Sequence, residues 1–260
     1  MKIATYNIWN DNTAARAGQL IREIRSIDAD VIALQEVTEA FFTTYLREGA
    51  GYPFSEFRKY TDENEGLAIF SKHLIKSSFF LNTSDAFAFS AALNVVLEVD
   101  NLRISMTNVH LPWDSALKKE QQIVAIDQYI HTQTEQADFF IMLGDFNCGL
   151  NSSVHRYLLG EQTINNNESN LYWYELSSAY AEINGLPIKP TLNFSQNPRW
   201  VGKNTRTIYA PDVVDRIYIM DNWNDVKLNV VSIFGTDISA ENGLSASDHY
   251  GVVAEVDFAK

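Results

Sequence analysis

The sequence predicts a mixed α/β fold in a single domain over residues 1–260, and three observations carry that prediction. Apolar runs of strand length alternate with helical stripes through the first fifty residues. Near the middle, strand-like runs follow one another with no helix between them. Further β-branched runs close the chain, and no linker, internal repeat or low-complexity segment divides it.

Taken in order, residues 2–9 are rich in β-branched and aromatic side chains. Asp11 and Asn12 then offer capping oxygens before a helical face of Ala17, Leu20, Ile24 and Ile27. Asp30 to Glu36 is a short apolar run of the buried-strand kind. Thr38 follows as an expected N-cap for a helix reaching about Glu48. Gly66–Phe70, Ala92–Val99 and Leu102–Val109 read as strands, the consecutive ones predicting antiparallel pairing. Leu117, Ile123, Val124, Ile126 and Ile130 fit a helical stripe, and Phe139–Leu143 is a further buried strand. Gly160 to Ala210 reads as a long loop region, polar and proline-interrupted, with one short helix near Glu175–Tyr180. Val213–Met220, Val226–Phe234 and Val252–Phe258 are the closing strands.

Hydrophobic residues make up 46% and charged residues 20% of the chain, which excludes collagen-like, coiled-coil and disordered classes. Twenty Lys and Arg stand against 33 Asp and Glu, a net charge of −13 that repels polyanions and anionic membranes at long range. An anionic substrate therefore calls for a bound cation to supply local positive charge. Cys148 is the only cysteine, so neither an internal disulfide nor a Cys-rich zinc site can form within the chain. No apolar run approaches a membrane span and no secretory leader pattern opens the sequence, so a cytoplasmic location with no membrane anchor is expected.

Several strands end in acids, amides or histidines where simple turn residues are usual: Asn7 in TYNIW, Glu36 in LQEV, His110 in NVHLPW, Asp145 and Asn147 in GDFN, and Asp248–His249 in SDHYG. Singly each has an ordinary explanation, for Gly-Asp makes turns and an acid before a helix favours its dipole. Jointly they make a constellation. TYNIW, LQEV, NVHL, GDFN, DRIYI and SDH, in this order, resemble the endonuclease/exonuclease/phosphatase superfamily of the DNase-I-like fold, over nearly the whole chain. The resemblance implies a four-layer α/β sandwich, two mixed sheets packed face to face with helices outside. It implies metal-dependent cleavage of phosphate esters, commonly with Mg²⁺ or Mn²⁺, on substrates ranging from DNA and RNA to phosphoinositides, sphingomyelin and protein–DNA adducts. DRIYI is similar to the corresponding segment of the tyrosyl-DNA phosphodiesterase branch.

On that resemblance, Glu36 is the expected metal ligand, since a hard cation prefers carboxylate oxygen, with Asn7 assisting through its amide oxygen. Asp145 suits orientation or deprotonation of the attacking water, and Asn147 donation to a phosphoryl oxygen. His110 and His249 are expected to bind phosphate. Asp248 is placed near the metal or as the orienter of His249, and Asp215 of DRIYI as the orienter of His110. Trp113, Trp173, Arg199, Trp200 and Arg206 are the expected substrate-binding residues, with Lys203 a further cation of the same segment. A phosphodiesterase acting on nucleic acid or a small phosphodiester is the leading reading. A phosphatase or sphingomyelinase-like hydrolase is the second, and an inactive phosphate-binding domain the third. No protein partner is expected.

Overall fold

The computed structural model describes residues 1–11, 13–61, 63–81, 92–133, 135–169, 172–200, 209–220 and 224–259. β1 (Lys2–Asn7) and β2 (Val31–Thr38) pair in parallel through α1 (Thr13–Ile27), as the opening pattern predicts. Thr38 caps the next helix, its hydroxyl accepting the Phe41 N–H at 3.2 Å. That helix is not uniform. α2 (Glu39–Phe41) and α3 (Arg47–Gly49) are joined by a π-helical turn at Phe42–Leu46. β3 (Phe54–Lys59), β4 (Glu65–Ser71), β5 (Leu74–Leu81), β6 (Ala92–Val99) and β7 (Leu102–His110) follow. After α4 (Ala116–Thr132) come β8 (Phe139–Asp145), α5 (Ser153–Leu158), β9 (Trp173–Glu175), α6 (Leu176–Asn184), β10 (Asp215–Met220), β11 (Asp225–Phe234) and β12 (Gly251–Ala259).

The strands form two six-stranded mixed sheets, ordered β11-β12-β1-β2-β4-β3 and β5-β6-β7-β8-β10-β9. Between them lies a core that includes Ile3, Val31, Ala33, Leu67, Ile69, Leu93, Ile104, Ile141, Ile217 and Val252. A second core seals α4 and α5 against the outer face of one sheet through Ile123, Ile126, Phe140 and Tyr157. A third seals α1 and the π-containing helix against the other through Leu20, Ile24, Phe41, Leu46 and Phe70. The order helix, sheet, sheet, helix is the four-layer DNase-I-like sandwich. No helix among the described residues is long and apolar enough to cross a membrane.

Polar residues also cross the interface between the sheets. The amide of Gln35 donates to Asn108 Oδ1 at 2.7 Å and to Thr5 Oγ1 at 3.0 Å, and the amide of Asn108 donates to the Leu34 and Ala68 carbonyls at 3.0 Å. The Leu34 carbonyl is accessible because β2 bulges there, its register to β4 slipping between Leu34 and Val37. Fully bonded, this buried group pins one sheet to the other next to the strand ends that matter.

Candidate active site

Three adjacent strands of one sheet end level with one another. His110 of β7 is the register partner of Asp145 of β8, which is the register partner of Asp215 of β10. Strand spacing near 4.8 Å therefore lines up an imidazole and two carboxylates in one row. Gly144 makes the close approach possible: a Cβ at its position would stand 1.9 Å from the Val109 carbonyl oxygen, and its φ is +145°. The other sheet contributes Asn7 at the end of β1 and Glu36 within the bulge of β2. Glu36 has left-handed backbone, φ 58°, where a straight strand would send its side chain elsewhere.

The two sheets meet at Asn7. Its Nδ2 donates to Glu36 Oε1 and to Asp145 Oδ2, both at 2.9 Å, while its Oδ1 accepts the Trp9 N–H at 3.0 Å. The amide thus faces both carboxylates with nitrogen, and not with the oxygen expected to assist a cation. Two negative groups standing this close need a donor between them, and Asn7 is that donor. Glu36 Oε2 accepts the Asn10 N–H at 3.0 Å. His110 Nε2 lies 3.9 Å from both Glu36 Oε1 and Asp145 Oδ2.

Asp145 Oδ1 accepts the Asn147 N–H at 2.8 Å across a turn in which Asn147 has φ 48°. The Asn147 side-chain amide donates to the Leu111 carbonyl at 2.9 Å, so one of its N–H groups holds the His110 strand end in place. The expected pairing of Asp215 with His110 is not found. Asp215 Oδ2 instead bonds His249 Nδ1 at 2.9 Å, and His110 Nδ1 faces the Tyr60 hydroxyl at 3.4 Å. The reason is topological: the segment before β12 drops His249 beside β10, whereas His110 lies on the far side of Asp145. Asp248 accordingly does not orient the neighbouring imidazole. Its carboxylate accepts the Ser247 hydroxyl at 3.3 Å.

Burial opposes charge on His249, but Asp215, Asp145 and Asp248 together outweigh it and hold the imidazole well above its ordinary pKa. Burial also raises the Asp215 carboxyl; the pair shares one proton, and the imidazole keeps it because three carboxylates face it. Among the described residues His249 Nε2 has no hydrogen-bond partner, leaving a cationic N–H donor free. Burial, with Glu36 adding and His249 opposing, pushes Asp248 up to about 6.

Ligand atoms of Asp145, Asp215 and His249 lie within 4.8 Å of one another, a group that can hold a metal ion. With the proton on His249 that position reads as an ion pair, since an imidazolium has no lone pair to give. A hard ion is better served by Glu36, whose side chain is 19% exposed against 1% for Asp145 and 0% for Asp215, and whose two oxygens each accept only one hydrogen bond.

Within the segment that carries the expected substrate residues, Asn197, Arg199 and Trp200 brace the stretch before β12. Asn197 accepts the Ser245 hydroxyl at 2.8 Å and donates to the Ser247 carbonyl at 3.1 Å, while Trp200 Nε1 donates to the Asp248 carbonyl at 3.0 Å. Arg199 is buried, its Nε on the Ser245 carbonyl at 2.8 Å. Trp173 is not a substrate residue: it is 1% exposed in the core under α4 and α5, with its indole N–H on Asp127 at 2.9 Å. Trp113, at 80% exposure, does face solvent. It lines a cavity of about 370 Å³ with Asn10, Glu63, Glu65, His110 and Leu111. Lys203 and Arg206 lie outside the described residues. Sequence reasoning missed Tyr60, Gln35 and Asn108; the last two are neighbours of Glu36 and His110 within the quoted motifs, whereas nothing local marks Tyr60.

A family model described as endonuclease/exonuclease/phosphatase family matches residues 4–249, from β1 to the paired His249. The chain belongs to the endonuclease/exonuclease/phosphatase family. Among solved structures, TDP2 of D. rerio complexed with single-strand DNA product superposes with a TM-score of 0.77 at 18% identity, over 99% of this chain and 98% of that one. The catalytic domain of human Nocturnin with bound sulfate gives 0.72 at 18% identity, over 100% and 94%. At these identities the likeness establishes the fold. A curated relative, a probable CCR4-Not complex 3′-5′-exoribonuclease subunit Ccr4 of Vairimorpha ceranae (strain BRL01), is 27% identical over 215 residues, 63% of this chain. The match spans 45%, about half, of that relative's length.

Proposed function

We propose that this member of the family is a divalent-metal-dependent phosphodiesterase that cleaves nucleic acid or a small phosphodiester by in-line attack of water. The observation that carries the reading is the junction at Asn7, Asp145 and His249, where a carboxylate, a free imidazolium N–H and an accessible acid converge from both sheets. Asp145 accepts a proton from, or aligns, the attacking water, and the His249 Nε2–H donates to a phosphoryl oxygen whose charge grows in the transition state. Asp215 holds that imidazolium charged and in one orientation, and His110 binds phosphate from the opposite side. Asn147 secures the Leu111 backbone. Mg²⁺ or Mn²⁺, held on Glu36 with Asp248 nearby, would supply the positive charge that a chain of net charge −13 otherwise lacks. Trp113 offers a stacking surface to a base beside the site. The nucleic-acid reading draws support from the DNA product held by the TDP2 relative and the exoribonuclease relative.

A metal-screened panel of DNA, RNA, 5′-tyrosyl DNA, nucleotides, inositol phosphates and sphingomyelin tests the reading. Turnover of at least one nucleic acid with Mg²⁺ or Mn²⁺, abolished by EDTA, is expected. Full activity in excess EDTA refutes the metal dependence, and turnover confined to the monoester or lipid substrates refutes the substrate class.

A further inference from the structure

Arg16 lies one turn into α1 and is 4% exposed, yet it makes no ion pair among the described residues. All of its donors go to main-chain oxygens. Nη1 donates to the Ile8 carbonyl at 3.0 Å and to that of Ala246; Nη2 donates to the Trp9 and Asp11 carbonyls, both at 2.6 Å; Nε donates to Asp11 at 3.2 Å. Three of these four acceptors form the turn after β1, and the fourth belongs to the segment that ends in Ser247, Asp248 and His249.

The turn is one that needs holding. Trp9 has φ 56°, left-handed backbone that is unfavourable for a bulky residue. In that conformation the Trp9 N–H reaches Asn7 Oδ1 and the Asn10 N–H reaches Glu36 Oε2. The same turn therefore decides which end of the Asn7 amide faces Glu36 and Asp145, and which Glu36 lone pairs stay free. The two guanidiniums of Arg16 and Arg199 lie over the Trp9 ring, 5.0 and 5.6 Å from its centroid, and Arg199 is tied to Ser245 of the second segment.

We propose that Arg16 is a positioning residue: its planar fork locks the Ile8–Asp11 turn to the Ala246 segment and thereby sets the orientation of Asn7 and Glu36 toward the metal and the substrate phosphate. The proposal rests on the function proposed above, on the cation at Glu36 for its metal-binding half and on phosphodiester cleavage for its kinetic half. A lysine carries the charge but not the fork, so it cannot serve four carbonyls at once.

The test compares wild type, Arg16→Lys, Asn7→Ala and the double variant, each with its melting temperature, its Mn²⁺ affinity from titration of free Mn²⁺ by electron paramagnetic resonance, and its kcat and KM. Arg16→Lys is expected to weaken Mn²⁺ binding and lower kcat by about tenfold each, the scale of losing an outer partner of a ligand set, with KM little changed. In the Asn7→Ala background the same substitution is expected to cost no more than about threefold in either, because only the arm through the Asn10 N–H to Glu36 is left. Equal losses in both backgrounds, or a lowered melting temperature with Mn²⁺ affinity intact, overturn the proposal. Should Arg16→Lys not fold, Arg199→Lys is the second variant: a smaller Mn²⁺ shift that shrinks without Asn7 supports the lock, and an additive one refutes it. Wild type that binds Mn²⁺ but cleaves no phosphodiester refutes the functional reading alone.

Discussion

His249 owes its charge to Asp215, and the consequence is a pH profile that one substitution should reshape. The folded imidazolium titrates well above an ordinary histidine, near 6.5 when unfolded. Its contribution to stability is therefore fully present below about pH 6.5 and is lost as pH rises through the higher folded value. Replacing Asp215 by Asn removes that charge while burial, which opposes the imidazolium, remains. The alkaline limb of kcat should then move to lower pH, with a loss of at least about 10²-fold at pH 8 and a smaller one at pH 6; an alkaline limb that stays in place would show that His249 does not act as the cation. On the acid side Asp248, pushed up to about 6, becomes protonated as pH falls through that value. Activity should fall with it, and Asp248→Asn should flatten that limb of the profile.

Among the elements, α1 carries a further titration inside the molecule. Glu23 is 7% exposed, accepts the Tyr6 hydroxyl at 2.9 Å through Oε2, and leaves Oε1 buried without a partner. Burial, opposed by Tyr6 and aided by Asp237, pushes it up to about 7. The folded state thus binds this proton more tightly than the unfolded one, so stability falls as pH rises from about 4.5 to about 7, by on the order of 3 kcal/mol at most. Glu23→Gln should flatten that decline and raise the melting temperature at pH 8, by about 2–4 °C for each kcal/mol recovered; a lowered value would mean the charge is compensated. Trp173→Ala should cost about 3–5 kcal/mol by cavity formation. Stability is measured by denaturant melting, and KM should change no more for a natural substrate than for bis-p-nitrophenyl phosphate.

The strands that the sequence hides share a physical cause. β3, β5 and β9 all lie at sheet edges, where strands are half exposed or very short and carry no run of buried residues; in LIKSSFFL and FSEFRK the polar positions interrupt the apolar ones. The central strands were legible to within about two residues at each end. Asn7, Glu36, His110, Asp145 and His249 were legible because chemistry-bearing residues broke apolar runs. The partnership of Asp215 with His249 was not, since it depends on how the segment before β12 drapes over β10. Trp173 misled because an aromatic in a polar stretch reads the same whether it faces solvent or seals an edge.

At the scale of the whole molecule, the charge of −13 governs encounter with a polyanion. Repulsion beyond about 10 Å is screened at 0.1 M salt. With Mg²⁺ held saturating, kcat/KM on an oligonucleotide should stay level or rise between about 20 and 150 mM NaCl. A steep fall with salt would reveal a basic surface that recruits phosphates.

The nesting of the two sheets also has a bearing on when the centre comes into being. β5 to β10 are consecutive in the chain and complete one sheet, whereas the other takes β1 to β4 from the first part and must await β11 and β12. A polypeptide made only as far as β11 therefore holds Asp145 and Asp215 without His249, and β1 without the antiparallel neighbour that fixes its edge. The Asp215–His249 pair thus comes into being only with chain made after β11, so assembly of the centre is a late event of synthesis.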